Sequence, residues 1–262
     1  SEMCIRDSYI TDAYDYKVKG DVLCFSPQGQ LIFKLPNVGI NSNTVLFRNK
    51  ASQGNPDENP ADPEAGAFAN KVLEYNPAPS QYMNTSYTAY EEGFTGIQVL
   101  ARATKLLQDR TTCLFTLGGF GGNITVGFDH TIPNVPGEYD FKIYGNAYYD
   151  MYGTLLDKPG GNSEPGIVLV SKDTNGNGLP DDEWYELAGS EYNSPATIRN
   201  YEITYYRPTP ADGDVKWKDN QGKEGYIYRN TYHTQGSYYP AWMPAEITFR
   251  GSRLADNSIN EP

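Results

Sequence analysis

The chain has 262 residues, room for one large or two modest domains, and its 38% hydrophobic and 21% charged content argue against a fibrous or disordered protein. Thirty-three acidic side chains against 21 basic ones give a formal net charge of -12, which disfavours nucleic acid and anionic lipid and leaves cations as natural partners. No apolar run reaches the length of a membrane span, and Cys4, Cys24 and Cys113 form neither a metal spacing nor a disulfide framework.

In chain order, residues 1–8 (SEMCIRDS) read as translated sequencing-adapter text, a non-native segment, and the chain is expected to stop short of its native C-terminus. Within residues 9–65, VLCFS and LIFKL flank PQGQ as a small hairpin, expected to be the β-rich remnant of a preceding module. The Pro, Asp, Asn and Gly-rich stretch from Ala51 to Phe68 reads as its linker. From Glu91 to Gln108 the spacing predicts a helix with Val99, Leu100, Ala103, Leu106 and Leu107 on one face and its acids at the start. Beyond it come strands: TCLFTLGG, NITVGFDH, YDFKIYGNA, GIVLVSK, EWYELAG, YEITYYRP, GYIYR and AEITFRG, each bounded by turn formers. Tyr139, Phe141 and Ile143 alternate with Asp140 and Lys142, the pattern of a strand with one buried face. The expected fold over residues 66–262 is mostly β, an antiparallel jelly-roll-like β-sandwich with one short amphipathic helix.

The strongest chemical signal lies in SKDTNGNGLPDDEWYELAG. Asp173, Asn175, Asn177 and Asp181 occupy positions 1, 3, 5 and 9 of a calcium loop, with Gly178 at position 6, where the chain must turn sharply, and the Leu179 carbonyl at position 7. Carboxylate, amide and carbonyl oxygens at this spacing suit Ca2+ better than Mg2+, because calcium accepts a larger and more flexible oxygen shell. Position 12 departs from the pattern: it holds Trp184, so Asp182 or Glu183 is the expected closing ligand. The flanks read as strands, so this is a calcium loop on a β framework with a structural role. The alternative is a solvated connection in which Asn175-Gly176 and Asn177-Gly178 merely supply turns.

Other motifs carry less. LGGFGGN (Leu117 to Asn123) matches neither phosphate-loop spacing and precedes a strand, so its glycines are expected to permit a tight bend where backbones meet. His130 and His233 form no metal pattern, no nucleophile motif is present, and the many carboxylates select no catalytic pair. Aromatic clusters occur at NAYYDMY, Tyr205 with Tyr206, and YYPAW, where Tyr and Trp either stack on a ligand or pack inward. Tyr148, Tyr149, Tyr152 and Trp242 are the candidates for ligand contact.

The blocks KVLEYNPAPSQYMN, LGGFGGNITVGFDH, YDFKIYGNAYYD, SEPGIVLVSKDTNGNGLPDDEWYELAGSEY, EITYYRP and VKWKDNQGKEGYIYRN resemble consecutive segments of a Bacteroidetes cell-surface protein family. The resemblance covers about residues 69–250, and Glu164 to Tyr192 is its most specific part. It implies an exported, often lipid-anchored protein of the outer-membrane surface, sometimes accompanied by PKD-type domains and continuing past the end of this chain. It also implies proximity to outer-membrane uptake complexes, including those for cobalamin, and supplies no catalytic residues. The expected function is a calcium-stabilised, non-catalytic binding module for a glycan or small nutrient. A structural or adhesion protein without a small ligand, and a carbohydrate-active enzyme, are the alternatives.

Overall fold

A computed structural model describes residues 69–109, 114–129, 132, 139–145, 164–230 and 236–254, and the backbone of the strands at 4–6, 14–17, 31–36, 43–48, 148–149, 160–162 and 258–260. Every strand pairing among them is antiparallel, and one α-helix accompanies the sheets, so the chain is mostly β. With strands numbered in chain order, β1 (Cys4–Arg6), β2 (Tyr14–Lys17), β8 (Phe141–Tyr144), β4 (Asn43–Arg48) and β6 (Phe115–Gly118) form one sheet in that order. A second runs β12 (Trp184–Glu186), β11 (Leu169–Lys172), β3 (Leu31–Pro36), β7 (Asn123–Gly127), β5 (Lys71–Asn76). A third runs β15 (Glu224–Ile227), β14 (Val215–Asp219), β13 (Ile198–Tyr206), β16 (Glu246–Arg253). β17 (Ser258–Asn260), β10 (Gly160–Asn162) and β9 (Tyr148–Tyr149) form a small fourth.

The first two sheets and the helix α1 (Gly96–Asp109) share one core. Phe115 and Leu117 of β6 and Phe141 and Ile143 of β8 meet Tyr75 of β5, Ile124 and Val126 of β7 and Val170 of β11, the arrangement of a sandwich. The Tyr75 hydroxyl spans the gap, donating to the Thr116 carbonyl at 2.7 Å. Both β6 and β7 are buried at every position, although β7 lies inside its sheet and β6 at the edge of its own. β3 pairs between β11 and β7, and β4 between β8 and β6. VLCFS and the expected linker lie outside the described residues.

The helix begins later than its apolar period predicts, at Gly96 rather than Glu91. Gly93 turns the chain at φ +83°, and Gln98 then accepts from both the Thr95 backbone N–H and the Thr95 hydroxyl at 2.9 Å, fixing Thr95 as the cap. Glu91 and Glu92 therefore precede the first turn. The predicted face is correct: Val99, Ala103 and Leu107 are buried, with Leu100 and Leu106 packed beside them. Thr104 holds the helix to β5 by accepting from the Val72 backbone N–H at 3.1 Å. In β8 the alternation holds for Phe141, Lys142 and Ile143, but Tyr139 is exposed and Asp140 buried, because the strand starts only at Phe141.

A second core backs the sheet of β13 to β16. Tyr201, Tyr205, Tyr238 and Tyr239 are its largest fully enclosed side chains, so Tyr205, Tyr238 and Tyr239 of the predicted aromatic clusters pack inward. Each of three phenols keeps a partner: Tyr201 donates to Asp219 at 2.8 Å, Tyr205 to the Phe120 carbonyl at 3.2 Å and Tyr239 to the Pro244 carbonyl at 2.6 Å. Burial, reinforced at Tyr201 by Asp219, pushes the phenols of Tyr201 and Tyr205 far up. Burial likewise raises Tyr239 to about 12.

The two cores meet at the turn between β6 and β7. A Cβ on Gly118 would sit 1.7 Å from the Ala78 carbonyl oxygen, and one on Gly121 would sit 2.1 Å from the Phe249 Cβ. Both glycines have positive φ, at +79° and +86°. LGGFGGN is thus the tight bend where backbones meet.

Gly121→Ala is expected to destabilise by about 3 kcal/mol or more through clash and strain together. Gly251→Ala, whose Cβ would meet nothing nearer than Phe120 Cζ at 3.8 Å, is expected to stay within about 1 kcal/mol of the parent in urea denaturation. A raised phenol means the folded state holds its proton longer than the unfolded chain does. Stability is therefore intact below the usual value of 10.0 and falls as pH rises from there toward about 12, with tyrosinate absorbance and loss of near-ultraviolet dichroism rising together. Tyr239→Phe is expected to flatten that decline.

Candidate functional site

β11 delivers the loop. Strand alternation puts Leu169, Ser171 and Asp173 on one face, and Asp173 ends the run buried, with only 4% of its surface exposed. A buried carboxylate needs donors, and here the following turn supplies them: Asp173 Oδ1 accepts from the backbone N–H of Gly176 at 2.7 Å and Asn177 at 3.2 Å, and Oδ2 from Gly178 at 2.8 Å. The next two alternate residues repeat the move. Asn175 Oδ1 accepts from Asn177 N–H at 2.9 Å and Asn177 Oδ1 from Leu179 N–H at 2.7 Å. Gly178 makes the sharp turn at φ +72°.

The side-chain amides of Asn175 and Asn177 then donate to the two oxygens of Asp181, at 3.3 and 2.9 Å. Asn177 first and Asn175 second hold the Asp181 carboxyl below its usual value of 3.8. Four of the predicted ligand side chains, Asp173, Asn175, Asn177 and Asp181, are thus drawn into one loop, each Asn oxygen keeping a lone pair beyond the N–H it accepts. The expected closing ligands, Asp182 and Glu183, hydrogen-bond within the same segment. Asp182 accepts from the backbone N–H and hydroxyl of Thr174, and Glu183 accepts from the Tyr185 hydroxyl at 2.7 Å. Among the described residues no group of three His, Cys, Asp or Glu side chains stands ready for a metal. An ion here would take its oxygens from Asp173, Asn175, Asn177, Asp181 and the Leu179 carbonyl, a mixed set that suits a hard cation.

Of the candidates for ligand contact, the described side chains include only Trp242. Trp242 stacks on Tyr90, with ring centroids 5.3 Å apart and planes at 19°, and packs against the first core. The side chains of Tyr148 and Tyr149, and all of Tyr152, lie outside the described residues, as do His130 and His233.

What the sequence does not reveal is a cleft of about 1000 Å³ between the two sheet edges β12 and β16. Trp184 and Glu186 of β12 form one wall and residues 247–252 of β16 the other, while Arg199 and Asn200 enter from β13 and Asn76 and Asn123 from the ends of β5 and β7. The pairing of β13 with β16 slips between Ile198 and Tyr201, and Asn200 sits there at φ +53°. This bulge re-aims Arg199 and Asn200. Arg199 donates to Glu186 at 2.9 Å and to Ser252 at 2.8 Å, and its guanidinium lies 4.6 Å over the Tyr192 ring. Arg250 is paired with Glu202. Only the break in alternation at Arg199-Asn200 hints at the cleft in the sequence; its lining is assembled from separate strands that only the sheet pairings bring together.

Compared with known protein families and with curated proteins, the chain matches no family model and no curated sequence. Among the described residues no helix is long and apolar enough to cross a membrane.

In the absence of metal, Asp173→Ala strips the acceptor from three backbone N–H groups and is expected to cost about 2–3 kcal/mol in urea denaturation with EDTA. Asp181→Ala removes an exposed carboxylate and is expected to leave the urea midpoint nearly unchanged under the same conditions.

Proposed function

We propose that the protein is a calcium-stabilised, non-catalytic binding module of a bacterial cell surface that captures a glycan or small nutrient. One observation carries the metal: side-chain oxygens from positions 1, 3, 5 and 9 of the calcium spacing belong to one hydrogen-bonded loop, anchored by the buried Asp173. The loop carries the carboxylates of Asp173 and Asp181 on a chain of net charge -12, so a bound divalent cation offsets negative charge both locally and overall. The ion's role in this reading is structural, because the loop joins two strands and the ion would hold its oxygens together. The capture role is supported by the cleft next to the loop, which has room for a small ligand. Surface location, a lipid anchor and service to an outer-membrane uptake complex, including one for cobalamin, follow from the family resemblance.

Thermal unfolding in excess calcium, in magnesium and in EDTA tests the metal. A native-state ligand raises the melting temperature by a free energy of RT ln(1 + [L]/Kd), so the parent is expected to gain several degrees with calcium and less with magnesium. Asp181→Ala, nearly silent in EDTA, is expected to lose that gain. An unshifted parent would make the loop an ordinary self-capped turn.

A further inference from the structure

We propose that the cleft between β12 and β16 binds a neutral saccharide and that Trp184 is its stacking platform. The inference rests on the binding-module reading and gives it a place and a ligand class. A sugar presents an apolar C–H face and a rim of hydroxyls, so its site needs a flat aromatic ring flanked by planar polar groups. The cleft supplies both: the half-buried Trp184 in one wall, with the Glu186 carboxylate two residues along the same strand and the Arg199 guanidinium bonded to it, while Asn76, Asn123 and Asn200 line the cleft farther from the ring.

Charge decides against an anionic ligand. Arg199 is bound to Glu186 at 2.9 Å, Arg250 is bound to Glu202, and the whole chain carries -12, so no uncompensated positive field faces the cleft. Paired guanidinium and carboxylate groups still offer donors and acceptors to hydroxyls, held at fixed angles by each other and by Ser252. Asn200 is a non-glycine residue at positive φ on the cleft wall, the kind of local strain a fold retains where a side chain must be aimed.

The same geometry ties the saccharide to the loop. Trp184 stands at loop position 12, its register partner is Ser171, two residues before Asp173, and its indole N–H faces the Pro180 carbonyl at 3.4 Å. The loop therefore sets the angle of the platform, and an ion that stiffens the loop strengthens binding in the cleft.

Calorimetric titration of the whole chain in calcium, with soluble oligomers of glucose, mannose, galactose, xylose and N-acetylglucosamine, tests this, with polygalacturonate and cobalamin as charged and non-sugar controls. At least one neutral oligomer is expected to bind, about tenfold or more weakly to Trp184→Ala, with an intermediate loss in Trp184→Phe and no change in Tyr228→Ala, an exposed residue away from the cleft. Binding that weakens in EDTA supports both platform and coupling; binding unchanged in EDTA supports the cleft and removes the coupling. Binding by none of the neutral oligomers, binding indifferent to both Trp184 variants in folded protein, or preference for polygalacturonate or cobalamin overturns the proposal. A calcium-induced thermal shift without saccharide binding overturns it while leaving the metal reading intact.

Discussion

The close approach at the β6–β7 turn is the constraint on which the remaining architecture depends. Only a backbone without Cβ lets Ala78 cross Gly118 and lets Phe249 press on Gly121, and Phe120 between them is driven into the second core. Its carbonyl receives the buried Tyr205 hydroxyl, so the turn is bonded to the third sheet as well as packed against it. The sandwich and the third sheet are thereby held at a fixed offset. Gly121 and Phe249 also line the cleft, so the same contact that joins the two cores sets how far apart the edges β12 and β16 stand.

The loop and the cleft are built by opposite means. In the loop, every important bond falls within nine residues, between side-chain oxygens and N–H groups a few positions on. Asp, Asn and Gly make such bonds because their side chains are short enough to mimic a backbone turn or offer no steric obstacle to one. In the cleft, Asn76, Trp184, Arg199 and Ser252 come from distant segments, and only the sheet pairings bring them together. Trp184 belongs to both structures: it takes the position where an EF-hand places its closing carboxylate and turns an aromatic ring toward the cleft instead.

Tyrosine use follows from burial. With 22 tyrosines the chain has more phenols than ligand contacts could employ, and the second core shows where several go. The hydroxyls of Tyr201, Tyr205 and Tyr239 donate to a carboxylate or a backbone carbonyl and that of Tyr238 accepts from the Asn230 backbone N–H, which lets large apolar rings be enclosed at little polar cost. The sheet from β13 to β16 is consequently specific in register as well as apolar, because a one-residue slip would expose the rings and orphan the hydroxyls.

Mostly β structure, the helical face of α1 and the oxygen spacing from Asp173 to Asp181 were legible in the sequence, because all three depend on residue order over a few turns or one loop. The cap at Thr95 was also written there, in Thr95 and Gln98, though the acids at Glu91 and Glu92 obscured it. Which strands pair, the partners of β3 and β4 among them, whether Tyr238 and Trp242 face a ligand or a core, and the existence of the cleft were decided only by tertiary structure. An aromatic residue next to a loop has the same local chemistry whether it is a platform or a packing element. The difference lies in what the rest of the chain places against it: Tyr90 covers Trp242, and nothing in the nearby sequence announces that β16 stands across the cleft from Trp184.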